Sequence, residues 1–119
     1  MRNVVMEKSF DFALRIVKSY KFLCLEKKEF VLSKQLLRSG TAIGALIKEA
    51  EHAQSKADFI NKMNIALKEA NETEYWLELL FRSEYIEEKP YISVVEDCRE
   101  LIRLLISIVK TSKGVTEKD

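Results

Sequence analysis

The stretch Leu36–Ala50, LLRSGTAIGALIKEA, followed by Lys62–Leu80, KMNIALKEANETEYWLELL, decides the fold of this chain. Small residues (Ser39, Gly40, Ala42, Gly44, Ala45) crowd the first segment, so a second backbone approaches it closely. The helix that contains the second segment repeats apolar or small residues at steps of three and four: Phe59, Met63, Ala66, Ala70, Thr73, Leu77, Leu80. That is the seam of a helix packed in a bundle. Tyr75 and Trp76 are adjacent on the same helix, so they diverge by about 100° and one apolar stripe does not easily hold both.

Working outward, the same periodicity recurs. Val95, Cys98, Ile102, Leu105 and Val109 form another stripe, widened by Val94, Leu101 and Ile108. Four helices are expected: about 6–26, 33–52, 56–82 and 90–113. Ser33 is read as the N-cap of the second, and S-K-A-D after Gln54 as a capping box for the third. Pro90 suits the first turn of the fourth, and Gly114 suits its stop, leaving 114–119 as a frayed tail. The connections are short, so neighbouring helices run antiparallel. The chain has 119 residues, 47% hydrophobic and 33% charged, with three Gly and one Pro. That length suits one domain, 1–119, and a chain so poor in turn residues does not build a sandwich or barrel. The expected fold is all-α, an antiparallel up-and-down four-helix bundle.

The first helix carries an apolar arc of roughly 220° at 100° per residue. It includes Phe10, Phe12, Ala13, Leu14, Ile16, Val17, Tyr20, Leu23, Cys24 and Leu25. A single core contact needs an arc of about 100° or somewhat more. The excess predicts self-association, with Phe12, Ile16 and Leu23, together with Tyr75 and Trp76, as interface residues. The alternative is that Phe12, Ile16 and Leu23 cover loops or helix ends of their own chain.

Charge is unevenly spread although the net charge is +1. Residues 1–48 hold ten Lys/Arg against four Asp/Glu, residues 49–100 hold six against thirteen, and residues 101–119 hold four against two. One reading is intramolecular pairing of a basic first helix with an acidic third helix. The other is a basic face open to an anionic partner, for which Lys8, Arg15, Lys18, Lys34, Arg38 and Arg103 are the candidates.

Catalytic patterns are missing, and no catalytic residue is expected. His52 is the only histidine, so a carboxylate-bridged di-metal site, which takes two Glu-x-x-His pairs, cannot be assembled around Glu49 and His52. No Ser or Cys has an evident His base, and no Gly-rich loop cradles phosphate. Neither a metal nor a cofactor is expected. Gly40 and Gly44 share the spacing of a membrane dimer motif, but Arg38 and Lys48 flank them, which reads as close packing in a soluble bundle. Cys24 and Cys98 lie on apolar faces and read as reduced core thiols of a cytoplasmic protein. No run approaches the ~18 apolar residues of a membrane span, and the first residues lack the apolar run of a signal peptide. Arg38 and Glu49 share a helix face about 16 Å apart, too far to pair with each other. Glu74 and Arg15 are possible mates.

From Phe10 to Leu105 the chain resembles the 23S rRNA intervening-sequence protein family of four-helix bundle proteins. The resemblance rests on Ser9–Leu14 (SFDFAL), on Arg38, Ile43 and Glu49-Ala50 within the second helix, on Lys62–Leu80, and on Tyr85-Ile86. Relatives are expected to carry Ser near Thr41 or Ala42 and Asn near Leu46, where this chain has neither. The resemblance implies a bundle that assembles into a ring, a homopentamer. The function expected from the residues is binding without catalysis: a homo-oligomer that holds nucleic acid, structured RNA above all, on repeated basic faces. The rival is a protein–protein scaffold, with Phe22 and one of Tyr75 or Trp76 as anchors.

Overall fold

The computed structural model describes residues 3–114, and they form four helices. These are α1 (Val4–Leu25), α2 (Leu32–Glu51), α3 (Lys56–Arg82) and α4 (Glu88–Ser112). Each helix packs on the one before and after it, and α4 closes back on α1. Among the described residues α1 does not meet α3, nor α2 meet α4. With links this short, that is the up-and-down bundle, 48 × 28 × 24 Å in extent.

Local chemistry sets the helix starts. The Asn3 side chain accepts the Met6 N–H at 3.2 Å, and Ser55 accepts the Asp58 N–H at 3.0 Å, each covering an orphan donor of a first turn. The second helix departs from expectation. Ser33 is not its N-cap but lies inside it, because Glu29 takes the capping role. The Glu29 carboxylate accepts from the backbone N–H groups of Val31 (3.1 Å), Leu32 (2.9 Å) and Ser33 (2.7 Å). Ser33 Oγ in turn donates to the Glu29 carbonyl at 2.7 Å. One carboxylate reaching three amides outcompetes a single hydroxyl, and α2 therefore begins at Leu32. Pro90 falls in the first turn of α4. Gly114 follows the end of α4 with φ +76°, a left-handed conformation that costs glycine nothing. The remainder of the expected frayed tail, 115–119, lies outside the described residues.

The core follows the seam. Met63, Ala66, Ala70, Thr73, Leu77 and Leu80 of α3 are buried, as are Val94, Val95, Cys98, Leu101, Leu105 and Val109 of α4. Phe59, Ile102 and Ile108 lie half-buried at its edge. The small residues of α2 do what their size suggests. A Cβ at Gly40 would stand 2.8 Å from Ile16 Cγ1, and one at Gly44 would stand 3.4 Å from the Ser9 carbonyl oxygen. The close neighbour is α1. On the other side of α2, Ser39 Oγ lies 2.9 Å from Thr73 Oγ1 in the buried contact with α3. Cys98 Sγ donates to the Ala70 carbonyl at 3.3 Å, tying α4 to α3. Both cysteines are free thiols.

Candidate functional site

The six basic candidates divide into two groups. Lys8 Nζ pairs with Glu100 at 3.0 Å. Arg15 Nη1 pairs with Asp97 at 2.6 Å and also donates to the Ser93 carbonyl, while Nη2 donates to Ser93 Oγ. Arg38 bridges Glu69, at 3.3 Å, and Glu72 on α3. Glu72 also accepts the Trp76 indole N–H at 3.0 Å. That indole and then Arg38 hold the Glu72 carboxyl below its ordinary range, against a smaller opposing effect of burial. Lys18, Lys34 and Arg103 are exposed and make no ion pair among the described residues. They stand on three different helices, α1, α2 and α4.

Two expected pairings are corrected here. Lys8 and Arg15 of α1 meet acids of α4, not of α3, because α3 sits across the bundle from α1. Arg38 and Glu49 also find other mates than Glu74 and Arg15. Arg38 takes Glu69 and Glu72, and Glu49 takes Lys62 at 3.1 Å. Glu74 instead pairs with Arg99 at 2.7 Å. Arg38 and Glu49 therefore both hold α2 against α3. In each pair one side chain is about half exposed and its mate is half-buried, so water still screens the charges and each pair contributes about 1 kcal/mol.

The apolar arc of α1 is as wide as the sequence suggests, but its division between core and surface differs. Phe12 (2% exposed), Ile16 (0%) and Leu23 (0%) are the inward residues, buried within their own bundle, so they do not offer a surface to a second copy. The outward residues are Phe10, 65% exposed, with Leu14 and Leu25. The reason is rotational: Gly40 admits Ile16, and Gly44 admits Ser9, which turns the opposite edge of the arc to solvent. Tyr75 is exposed and Trp76 half-buried, with their rings edge to face at 5.1 Å. Between the exposed edge of α1 and α2 runs a groove of about 620 Å³ lined by Met6, Phe10, Ala13, Thr41, Ala45 and Lys48.

Sequence reasoning passed over Phe10 and Leu14 as surface residues, and it passed over the lysines of the α1–α2 turn. The signal for the first was present: with Gly40 and Gly44 facing α1, the wheel could be oriented by the residues small enough to meet them. No comparable signal separated paired from unpaired lysines. Among the described residues no group of three or more His, Cys, Asp or Glu is placed to hold a metal ion, and no helix is long and apolar enough to cross a membrane. His52 stands exposed at the end of α2, 3.9 Å from Glu51.

Comparison with known proteins adds identity to this geometry. No curated protein matches the chain. A crystal structure of a protein of unknown function from the S23 ribosomal protein family of Bacteroides thetaiotaomicron superposes with a TM-score of 0.88 at 68% identity, covering 89% of this chain and 98% of that one. The family model for the 23S rRNA-intervening sequence protein matches residues 1–107. With the four-helix architecture and nearly the whole length accounted for, the chain belongs to the 23S rRNA-intervening sequence protein family.

Proposed function

We propose that this protein is a non-enzymatic bundle that assembles with copies of itself into a ring, five as the resemblance implies, and holds structured RNA on its repeated basic side chains. The observation that carries the assembly is the outer face of α1. Phe10 and Leu14 project as knobs beside the groove between Ala13 and Ala45. One chain thus carries both a knob and a recess, and head-to-tail contacts between the two close into a ring when the rotation allows it. Exposed apolar surface of this kind on a small domain is unfavourable until covered. Multi-angle light scattering on the purified chain tests the assembly. Paired substitutions Phe10→Asp and Leu14→Asp are expected to yield monomers that keep their helical circular dichroism. A wild-type chain that is monomeric across the micromolar range refutes it.

Lys18, Lys34 and Arg103 support the nucleic-acid part, because their charges are not spent on neighbouring acids. A ring repeats each weak contact, which raises avidity without any new contact. Anisotropy of a labelled RNA hairpin across salt concentrations is the test, with log affinity expected to fall linearly with log salt. Flat affinity, or none at low salt, refutes it. A protein partner is the second reading, favoured by Tyr75, 59% exposed against Trp76. Aromatic residues of this kind anchor protein interfaces. Stoichiometric recovery of one protein after nuclease treatment, lost in Tyr75→Ala, supports it.

A further inference from the structure

We infer that the corner where α1 turns into α2 binds single-stranded nucleic acid, with lysines on the phosphates and the Phe22 and Phe30 rings under unpaired bases. This rests on the nucleic-acid reading above, but it moves the site away from most of the residues the sequence suggested. Lys18, Lys21, Lys28 and Lys34 are exposed here and make no ion pair among the described residues. Lys27 stands over the Phe22 ring, 5.9 Å from its centroid. By contrast, Lys8, Arg15 and Arg38 are each committed to a carboxylate. Two acids share the corner. Glu26 is exposed, whereas Glu29 is buried with its carboxylate turned onto three amides of the α2 start, where the positive end of the helix dipole offsets its charge. On the α4 side a groove of about 420 Å³ separates Lys18 and Phe22 from Glu87 and Pro90. That glutamate bounds the basic surface.

Two features choose this partner. Phe22 and Phe30 are exposed phenylalanines set among like charges. Bases stack on aromatic rings while cations track the backbone, the usual arrangement for single strands. Lys27 covers one face of the Phe22 ring, and a base that stacks there displaces its ammonium onto the adjoining phosphate. Like-charge repulsion opposes a second copy of the chain here. The corner also lies about 18 Å along α1 from Phe10, so it is separate from the proposed assembly face.

The test is anisotropy of a fluorescein-labelled oligouridylate of about ten nucleotides, titrated across salt with the purified 119-residue chain. Replacing Lys28 and Lys34 together by Ala is expected to reduce the salt slope by about 1.4. Phe30→Ala is expected to weaken binding roughly tenfold with the slope unchanged. These positions are exposed, and circular dichroism checks that each variant folds. Binding that ignores Phe30 and both lysines but follows Arg15 and Arg38 overturns the corner and leaves the nucleic-acid reading standing. No binding to the oligouridylate or to an RNA hairpin at low salt overturns both. Failure to bind the oligouridylate together with tight binding to phosphatidylserine vesicles overturns the assignment in favour of a lipid surface.

Discussion

Gly40→Ala should destabilise the bundle, and the same substitution should stabilise it once Ile16 is gone. In the native chain the new methyl would lie 2.8 Å from Ile16 Cγ1, 2.9 Å from Cγ2 and 3.3 Å from Cβ. Ile16 is fully buried, and its branch at Cβ leaves it stiff about χ1. The clashing atoms are at that branch, not at a free end, so α1 and α2 must part. Overpacking of this kind costs about 1–3 kcal/mol. Alanine recovers about 1 kcal/mol of helix propensity over glycine. The net is a loss of about 1 kcal/mol, or about 4 °C in Tm for a domain of this size. Ile16→Ala alone costs about 2–5 kcal/mol, but it removes both Cγ atoms and leaves only the 3.3 Å contact. Gly40→Ala in that background keeps the propensity gain and fills part of the cavity, so its sign reverses. The double-mutant cycle should show a favourable coupling of about 2 kcal/mol. Gly44→Ala is the control: its Cβ would find its nearest neighbours in Ser9, at 3.4 Å or beyond, so the change should be neutral or stabilising by up to about 1 kcal/mol. The assay is urea unfolding followed by circular dichroism at one fixed protein concentration, because assembly makes apparent stability concentration-dependent. Additive effects, or a Gly40→Ala chain more stable than the parent, would refute the close approach of α1 and α2.

Three further outcomes are expected. Burial pushes the Glu29 carboxyl up, but the amides of Leu32, Ser33 and Val31 together outweigh it and hold the pKa below the ordinary 4.5. Its stabilising effect is therefore fully present above that value and is lost as pH falls through the depressed one. Glu29→Gln should cost about 1–2 kcal/mol at neutral pH and flatten the acid limb of a thermal-unfolding pH series. Burial pushes the Cys98 thiol up to about 12, whereas Cys24 is half-buried. An aromatic disulfide reagent at pH 8 should thus titrate one thiol in the folded protein and two in denaturant. Thr73→Val should cost about 1–2 kcal/mol in denaturant unfolding, because it strips buried Ser39 Oγ of a partner at 2.9 Å while keeping the side-chain volume. An unchanged midpoint would show the hydroxyl pair to be dispensable.

The α3 seam was legible because its spacing is the helical period itself, and all its positions from Met63 to Leu80 are buried as expected. The Ser55 start of α3 was legible for a similar reason: one hydroxyl three residues before its amide is a local pattern. The Glu29 cap was not, since a carboxylate that folds back from a turn onto three amides has no fixed spacing rule. The candidate site was less legible than the fold. Lys8 and Lys18 look alike in the sequence, yet only Lys8 meets a carboxylate, on a helix more than ninety residues further along the chain.

The sequence by itself therefore determined the number of helices, their order and the small-residue contact, all of which depend on neighbours within a few turns. The tertiary structure decided which edge of α1 is core, which carboxylate each arginine takes and which lysines stay unpaired. Those choices follow from the rotation of each helix about its own axis. For α1 that rotation follows the fit of Ile16 against Gly40 across the helix pair; the glycines mark the contact in the sequence, but which residues of α1 meet them is decided only when the two helices pack.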